Sequence, residues 1–162
     1  MTGVQTCALP IYVGKPTSAQ APNASGLDAI AHGADIVAES EQVGLKRQAQ
    51  AVLIATGSEV GLALQAQKQL AERGIATRVV SMPSTTTFDR QSVAYKRAVL
   101  PDGLPRVAIE MGVTDFWWKY GVSAVVGIDT YGESAPAGVL FKHFGFTPEN
   151  VADTVHQVLL KA

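Results

Sequence analysis

Three features of this sequence predict an α/β fold: three layers, with a five-stranded, mostly parallel sheet covered by helices on both faces. The run Ala51–Ala55 (AVLIA) is continuously apolar, the pattern of a strand whose two faces are both covered. An amphipathic stretch then leads to a second apolar run, Ile75–Ser81 (IATRVVS), so that strand, helix and strand fill about thirty residues, the size of a right-handed crossover unit. The same alternation continues to the end of the chain, which is the signature of helices layered on a parallel sheet.

The elements follow in order. Ile36, Val37 and Ala38 make a short apolar strand, and a polar turn is expected around residues 44–50. After Ala51–Ala55, Thr56 and Glu59 have the spacing of a capping box, so a helix is expected from there to Arg73, with Gly74 as its left-handed stop. Val60, Ala63, Leu64, Leu70 and Ala71 share one face of that helix, and Gln67 is the one polar residue among them. A weaker helix is expected over Gln91–Leu100, a strand at Arg106–Glu110 (RVAIE), a short aromatic helix or turn at Asp115–Tyr120 and a last strand at Ala124–Ile128. Two helices close the chain: Pro136 and Pro148 suit first turns, where a missing amide costs nothing, and Val151, Val155, Val158 and Leu159 form the final apolar stripe.

Composition bounds the function. A chain of 162 residues with 47% apolar and 17% charged residues is sized for one globular domain with a real core. A formal net charge of -1 supplies no clustered cations for nucleic acid or anionic lipid, and neither is an expected partner. No membrane span and no signal peptide is indicated, so a cytoplasmic location is the expectation. Cys7, the one cysteine, excludes an internal disulfide and a cysteine-based zinc site within one chain. Residues 1–27 carry Pro10, Pro16 and Pro22 among Gln, Ser, Asn and Gly without a persistent apolar period, and read as an unstructured lead-in to a domain at 28–162. Their removal is therefore expected to leave stability unchanged. A drop of more than roughly 5 °C in the thermal midpoint, on the order of 1 kcal/mol, contradicts that expectation.

Candidate chemistry is sparse. The Gly57-Ser58 turn, between a buried strand and a helix, is a place where parallel sheets hold phosphates, yet Glu59 sets a negative charge there and no phosphate-loop motif occurs; helix capping is the better reading. His32, His143 and His156 lack partners at metal or triad spacing and read as surface or interface histidines, with His143 on the exposed side of its helix. Glu133 and Ser134, after the last strand, read as turn or cap residues with no activating base beside them. Glu59, Glu110 and Glu133 are the acids near strand or helix ends, and none has the further oxygen ligands a magnesium site needs. Phe116, Trp117, Trp118 and Tyr120 are shared between core and interface roles, since only one of two adjacent tryptophans can face inward on a helix. The expectation is therefore no catalytic, cofactor-binding or metal-binding residue in this chain.

Spelled-out segments go further than spacing. Ala51–Glu59 (AVLIATGSE), Arg78–Ser84 (RVVSMPS) with Phe88–Gln91 (FDRQ), Tyr131–Ala137 (YGESAPA) and Phe144–Val151 (FGFTPENV) resemble, in order and interval, the C-terminal domain of transketolase over residues 28 to 162. Relatives such as deoxyxylulose phosphate synthase and the pyruvate dehydrogenase beta chain share the ATGSE-like turn but typically lack the SMPS and GESAPA segments. The resemblance implies a domain of a homodimeric enzyme, dependent on thiamine diphosphate and magnesium, that moves a two-carbon ketol unit between sugar phosphates. It also implies that cofactor, metal and activating glutamate belong to the two other domains, which are the partners of this one. A chain of this kind is expected to be inactive alone; the alternative is a free-standing regulatory or interaction module that docks onto separately encoded transketolase domains. Two departures stand out. The loop after Trp118-Lys119-Tyr120 is shorter than is usual in the family, which puts the register of the following strand in doubt. Met1–Tyr12 (MTGVQTCALPIY) resembles translated sequencing-adapter sequence more than any protein domain, so non-native sequence is expected there.

Overall fold

The computed structural model describes residues 31–39, 41–42, 45–46 and 48–161; the lead-in expected at 1–27 lies outside them. Strands β1 (Asp35–Glu39), β4 (Ala51–Ala55), β5 (Thr77–Ser81), β6 (Arg106–Ile109) and β7 (Ala124–Val126) form one sheet in the order β1-β5-β4-β6-β7. The β4–β5, β4–β6 and β6–β7 pairs are parallel, and β1 runs antiparallel to β5 at the edge, with a bulge between Ile36 and Ala38. Where only a polar turn was expected, β2 (Glu41–Gln42) and β3 (Leu45–Lys46) make a small antiparallel ladder, a turn extended by two residue pairs.

The buried apolar side chains separate by strand alternation into two clusters. Ala51, Leu53 and Ala55 face helices α1 (Glu59–Glu72) and α5 (Pro148–Lys161), while Val52 and Ile54 face the opposite layer. That second layer holds α2 (Thr85–Asp89), α3 (Val93–Val99) and a 3₁₀ helix at Asp115–Tyr120. No element was assigned to Thr85–Asp89 from the sequence, and its three consecutive threonines are poor helix formers. Ser84 makes the helix possible: its Oγ accepts the Thr87 amide, and its backbone is extended as an N-cap requires.

Two expectations about α1 resolve differently. Its end is as read, with Arg73 as the C-cap and Gly74 at φ 78°. Its start is not. The capping box at Thr56 and Glu59 does not form, because Gly57 turns the chain at φ 54° and moves the N-cap to Ser58, which makes no side-chain cap bond. Glu59 thereby becomes the first helical residue instead of the third, and its Oε1 accepts the Ser58 hydroxyl at 3.0 Å. Gln67 interrupts the apolar face for a reason: its Nε2 donates to the Thr77 carbonyl at 2.7 Å, tying the helix to the start of β5.

Helix α5 lies against α1, with Gln69 donating to Glu149 at 2.8 Å and Arg73 paired with Asp153 at 2.6 Å. Glu149 sits below the usual carboxylate range because Gln69 hydrogen-bonds its charged form. The short loop after Tyr120 does not disturb the sheet. Gly121 takes the left-handed conformation at φ 63°, and β7 then pairs in regular register with β6, Val107 opposite Ala124 and Ile109 opposite Val126. Arg106 anchors that corner by donating to the carbonyls of Leu100, Pro101 and Tyr120.

Candidate functional site

The chain leaves β4 toward β5 on one side and returns to β6 on the other, so the ends of β4 and β6 lie at a reversal of strand order. Open parallel sheets form crevices at such points. A cleft of about 470 Å³ occurs there, floored by Thr56 after β4 and Glu110 after β6. One wall is the Met82–Thr86 segment after β5, and the other is Gly112, Val113, Phe116 and Trp117. Backbone bonds hold the floor in place. Met82 N–H donates to the Ala55 carbonyl, Glu110 N–H to the Val126 carbonyl, and Ile128 N–H to the Gly112 carbonyl.

Glu110 is the electrostatic centre of the cleft. Burial, reinforced by the negative charge of Glu59, pushes its carboxyl up to about 7. Its Oε2 is buried without a hydrogen-bond partner, an arrangement that leaves an ionised carboxylate costly. Glu59 itself is 2% exposed, and its Oε1 accepts the Ser58 hydroxyl. Among the described residues no Lys, Arg or His lines the cleft. The two glutamates are fifty-one positions apart, and only the β4–β6 pairing brings them together.

The aromatic segment divides as its spacing suggests. Trp117 and Tyr120 are buried in the second layer, while Phe116 and Trp118 are 43% and 50% exposed. Phe116 stands on the cleft rim, edge-on to Trp117, and the Lys119 ammonium lies 4.2 Å from its ring centre. Lys119 is committed to Asp89 at 2.8 Å, and Asp89 also accepts the Tyr120 hydroxyl at 2.9 Å. Those two donors, Lys119 foremost, hold the Asp89 carboxyl below its ordinary value.

The other candidates are scattered. His32 stacks on Tyr95 with ring centres 4.8 Å apart, and His143 and His156 are exposed on different helices. Among the described residues no group of three metal-ligating side chains converges. Glu133 and Ser134 lie in a fully exposed stretch, Tyr131–Val139, and neither caps α4 (Ala137–His143), whose N-cap is Pro136. That stretch springs from the cleft rim, because Asp129 accepts both the amide and the hydroxyl of Thr114 at 2.8 Å. Sequence reasoning singled out Glu59 and Glu110 as acids near element ends but not as neighbours. Thr85 and Thr86, which line the cleft with Glu110, gave no sequence signal, and Thr56 was read only as a helix cap.

The family model for the transketolase-like C-terminal domain matches residues 33–147. The chain belongs to that family. Transketolase 2 of Aliivibrio fischeri is 48% identical over 143 residues, covering 86% of this chain and 21% of that protein. Transketolase 1 of Vibrio cholerae is 55% identical over 115 residues, covering 69% of this chain and 17% of its own length. Among solved structures, transketolase from Leishmania mexicana superposes with a TM-score of 0.77 at 42% identity, over 85% of this chain and 19% of that one. A split-gene transketolase described as an inactive beta4 tetramer superposes with a TM-score of 0.54 at 26% identity, over 72% of this chain and 41% of that one. The chain thus spans about one fifth of the length of the curated transketolases it matches. Among the described residues no helix is long and apolar enough to cross a membrane.

Proposed function

We propose that this chain is the structural C-terminal domain of a cytoplasmic, homodimeric transketolase, and that by itself it transfers no ketol group. The observation that carries the reading is the match to a transketolase C-terminal domain by a chain that spans about one fifth of its relatives' length. In this reading the whole enzyme moves a two-carbon ketol unit between sugar phosphates, with thiamine diphosphate and magnesium held by the domains outside the fifth of the enzyme that this chain matches.

The chemistry of the cleft supports that division of labour. Thiamine diphosphate would supply a thiazolium carbanion, and a protein holds it through a metal-bridged diphosphate and an acid directed at its aminopyrimidine. The cleft does not fit that group. Its lining offers no cation to a diphosphate, and Glu110 with Glu59 repels one. Magnesium needs an octahedron of oxygens with phosphate or several carboxylates, and one Glu59 oxygen is already taken by Ser58.

Calorimetric titration of the purified chain with thiamine diphosphate and magnesium is expected to show no micromolar binding. A coupled assay with xylulose 5-phosphate and ribose 5-phosphate is expected to match the no-protein control. Either binding or turnover, in a preparation free of host transketolase, overturns the reading. A second reading is favoured by the split-gene relative: a free-standing chain that docks onto separately encoded transketolase domains. An open reading frame for those domains beside the gene would support it.

A further inference from the structure

We propose that the cleft is a receptor for one basic side chain, an arginine or lysine presented by the part of the transketolase that this chain does not contain, with its cation on Glu110 and its stem against Phe116. The inference deepens the reading of the chain as one domain of a larger enzyme, and it rests on that reading.

Four observations select this occupant. Glu110 brings a carboxylate whose Oε2 has no partner, while Glu59, the other titratable group beside it, adds negative charge instead of neutralising it. Among the described residues the rest of the lining carries no charge, so a cation is the complement the cleft lacks and an anion is repelled. The rim is apolar and partly open: Val113 is 64% exposed, and Phe116, with Lys119 over its ring, is 43% exposed, a surface over which the methylenes of a long basic side chain lie while its head reaches a carboxylate. Continuous with that rim, the Asp129–Thr114 bonds launch a stretch in which Tyr131 is 97% exposed. An apolar rim, an exposed arm and four fifths of the relatives' length outside this chain together describe a contact face between domains, with Glu110 at its centre.

Pairing with a cation favours the ionised form of Glu110, which burial otherwise opposes, so docking and proton release are coupled. At pH 6 association is expected to release about one proton per chain, and at pH 8 almost none, because Glu110 is by then already ionised.

The test mixes the full 162-residue chain with the part of Aliivibrio fischeri Transketolase 2 that it does not match. Association is followed by calorimetry at pH 6 and pH 8 in buffers of different ionisation enthalpy. Glu110→Gln is compared with Glu133→Gln, which removes an exposed acid, and circular dichroism checks that both variants are folded. The expected result is binding by the unaltered chain, unchanged by Glu133→Gln, weakened at least tenfold by Glu110→Gln, with the proton release abolished. Equal binding by the Glu110→Gln variant overturns the inference and leaves the domain reading intact. No binding by the unaltered chain overturns the domain reading and the inference with it. Binding indifferent to Glu110→Gln, together with saturable binding of agmatine that the same variant abolishes, assigns the cleft to a free small amine and likewise overturns the inference.

Discussion

Gly33→Ala is expected to lower the thermal midpoint by about 10 °C. Gly33 sits at φ 84°, where an L side chain pushes its Cβ toward the backbone, at a cost of roughly 1–2 kcal/mol. It is also pressed against the turn that begins α2. An added Cβ would collide with the Ser84 carbonyl oxygen, lie 2.5 Å from the Phe88 nitrogen and 2.9 Å from the Thr87 Cβ. Two of those three atoms are backbone, so no rotamer change relieves the clash, and overpacking of this kind costs about 1–3 kcal/mol. The turn cannot simply retreat. Ser84 N–H donates to the Gly33 carbonyl at 3.0 Å, and Phe88, 1% exposed, is part of the second apolar cluster. A total near 3 kcal/mol corresponds to about 10 °C for a domain of this size. Thermal unfolding followed by circular dichroism measures it, and a decrease smaller than roughly 3 °C means that the loop before β1 yields more easily than this packing implies.

Glu110→Gln is expected to stabilise the chain at pH 8 and to leave it unchanged near pH 4.5. The Glu110 carboxyl is raised in the folded state to about 7, above its unfolded value of 4.5. Between those values the folded chain holds the proton that the unfolded chain has released, so stability falls as pH rises through that window and is level above it. The shift sets an upper bound of about 3 kcal/mol. Solvent in the open mouth of the cleft screens the charge and reduces this to about 1–2 kcal/mol. Glutamine keeps the shape without the charge, so its advantage should grow between pH 5 and 8 and then stay constant. Asp35, also raised by burial, is present in both proteins and cancels in the difference. Urea titrations of the two proteins across that range measure the gap, and parallel curves would falsify the burial of Glu110.

Much of the architecture was legible because single elements carried their own signal. Ala51–Ala55 had the pattern of a doubly covered strand, and all five of its residues are buried. Gly74 ended its helix where a left-handed residue was needed. The Trp117-Trp118 pair had to divide between core and surface, and it does. What escaped was set by geometry that neighbouring letters do not encode. The Thr56–Glu59 spacing suggested a capping box, but a box needs Thr56 at the N-cap, and the positive φ of Gly57 moved that position two residues on. The helix at Thr85–Asp89 depended on one serine outweighing three threonines. The cleft depended on strand order: Glu59 and Glu110 meet because β6 crosses to the far side of β4, a choice that periodicity does not record.

The two borders of the sheet are unlike, yet each is poor ground for adding a strand from another molecule. On one side β1 bulges between Ile36 and Ala38, which breaks the even ladder of amides and carbonyls that an incoming strand would read. On the other, β7 spans only three residues, Ala124–Val126, too short a row to recruit a partner by backbone bonds alone. Polymerisation through cross-molecule β-pairing is thereby disfavoured at both ends. Recognition of this chain by its neighbours is left to side chains, and hence to sequence, instead of to the generic stickiness of an unfinished sheet.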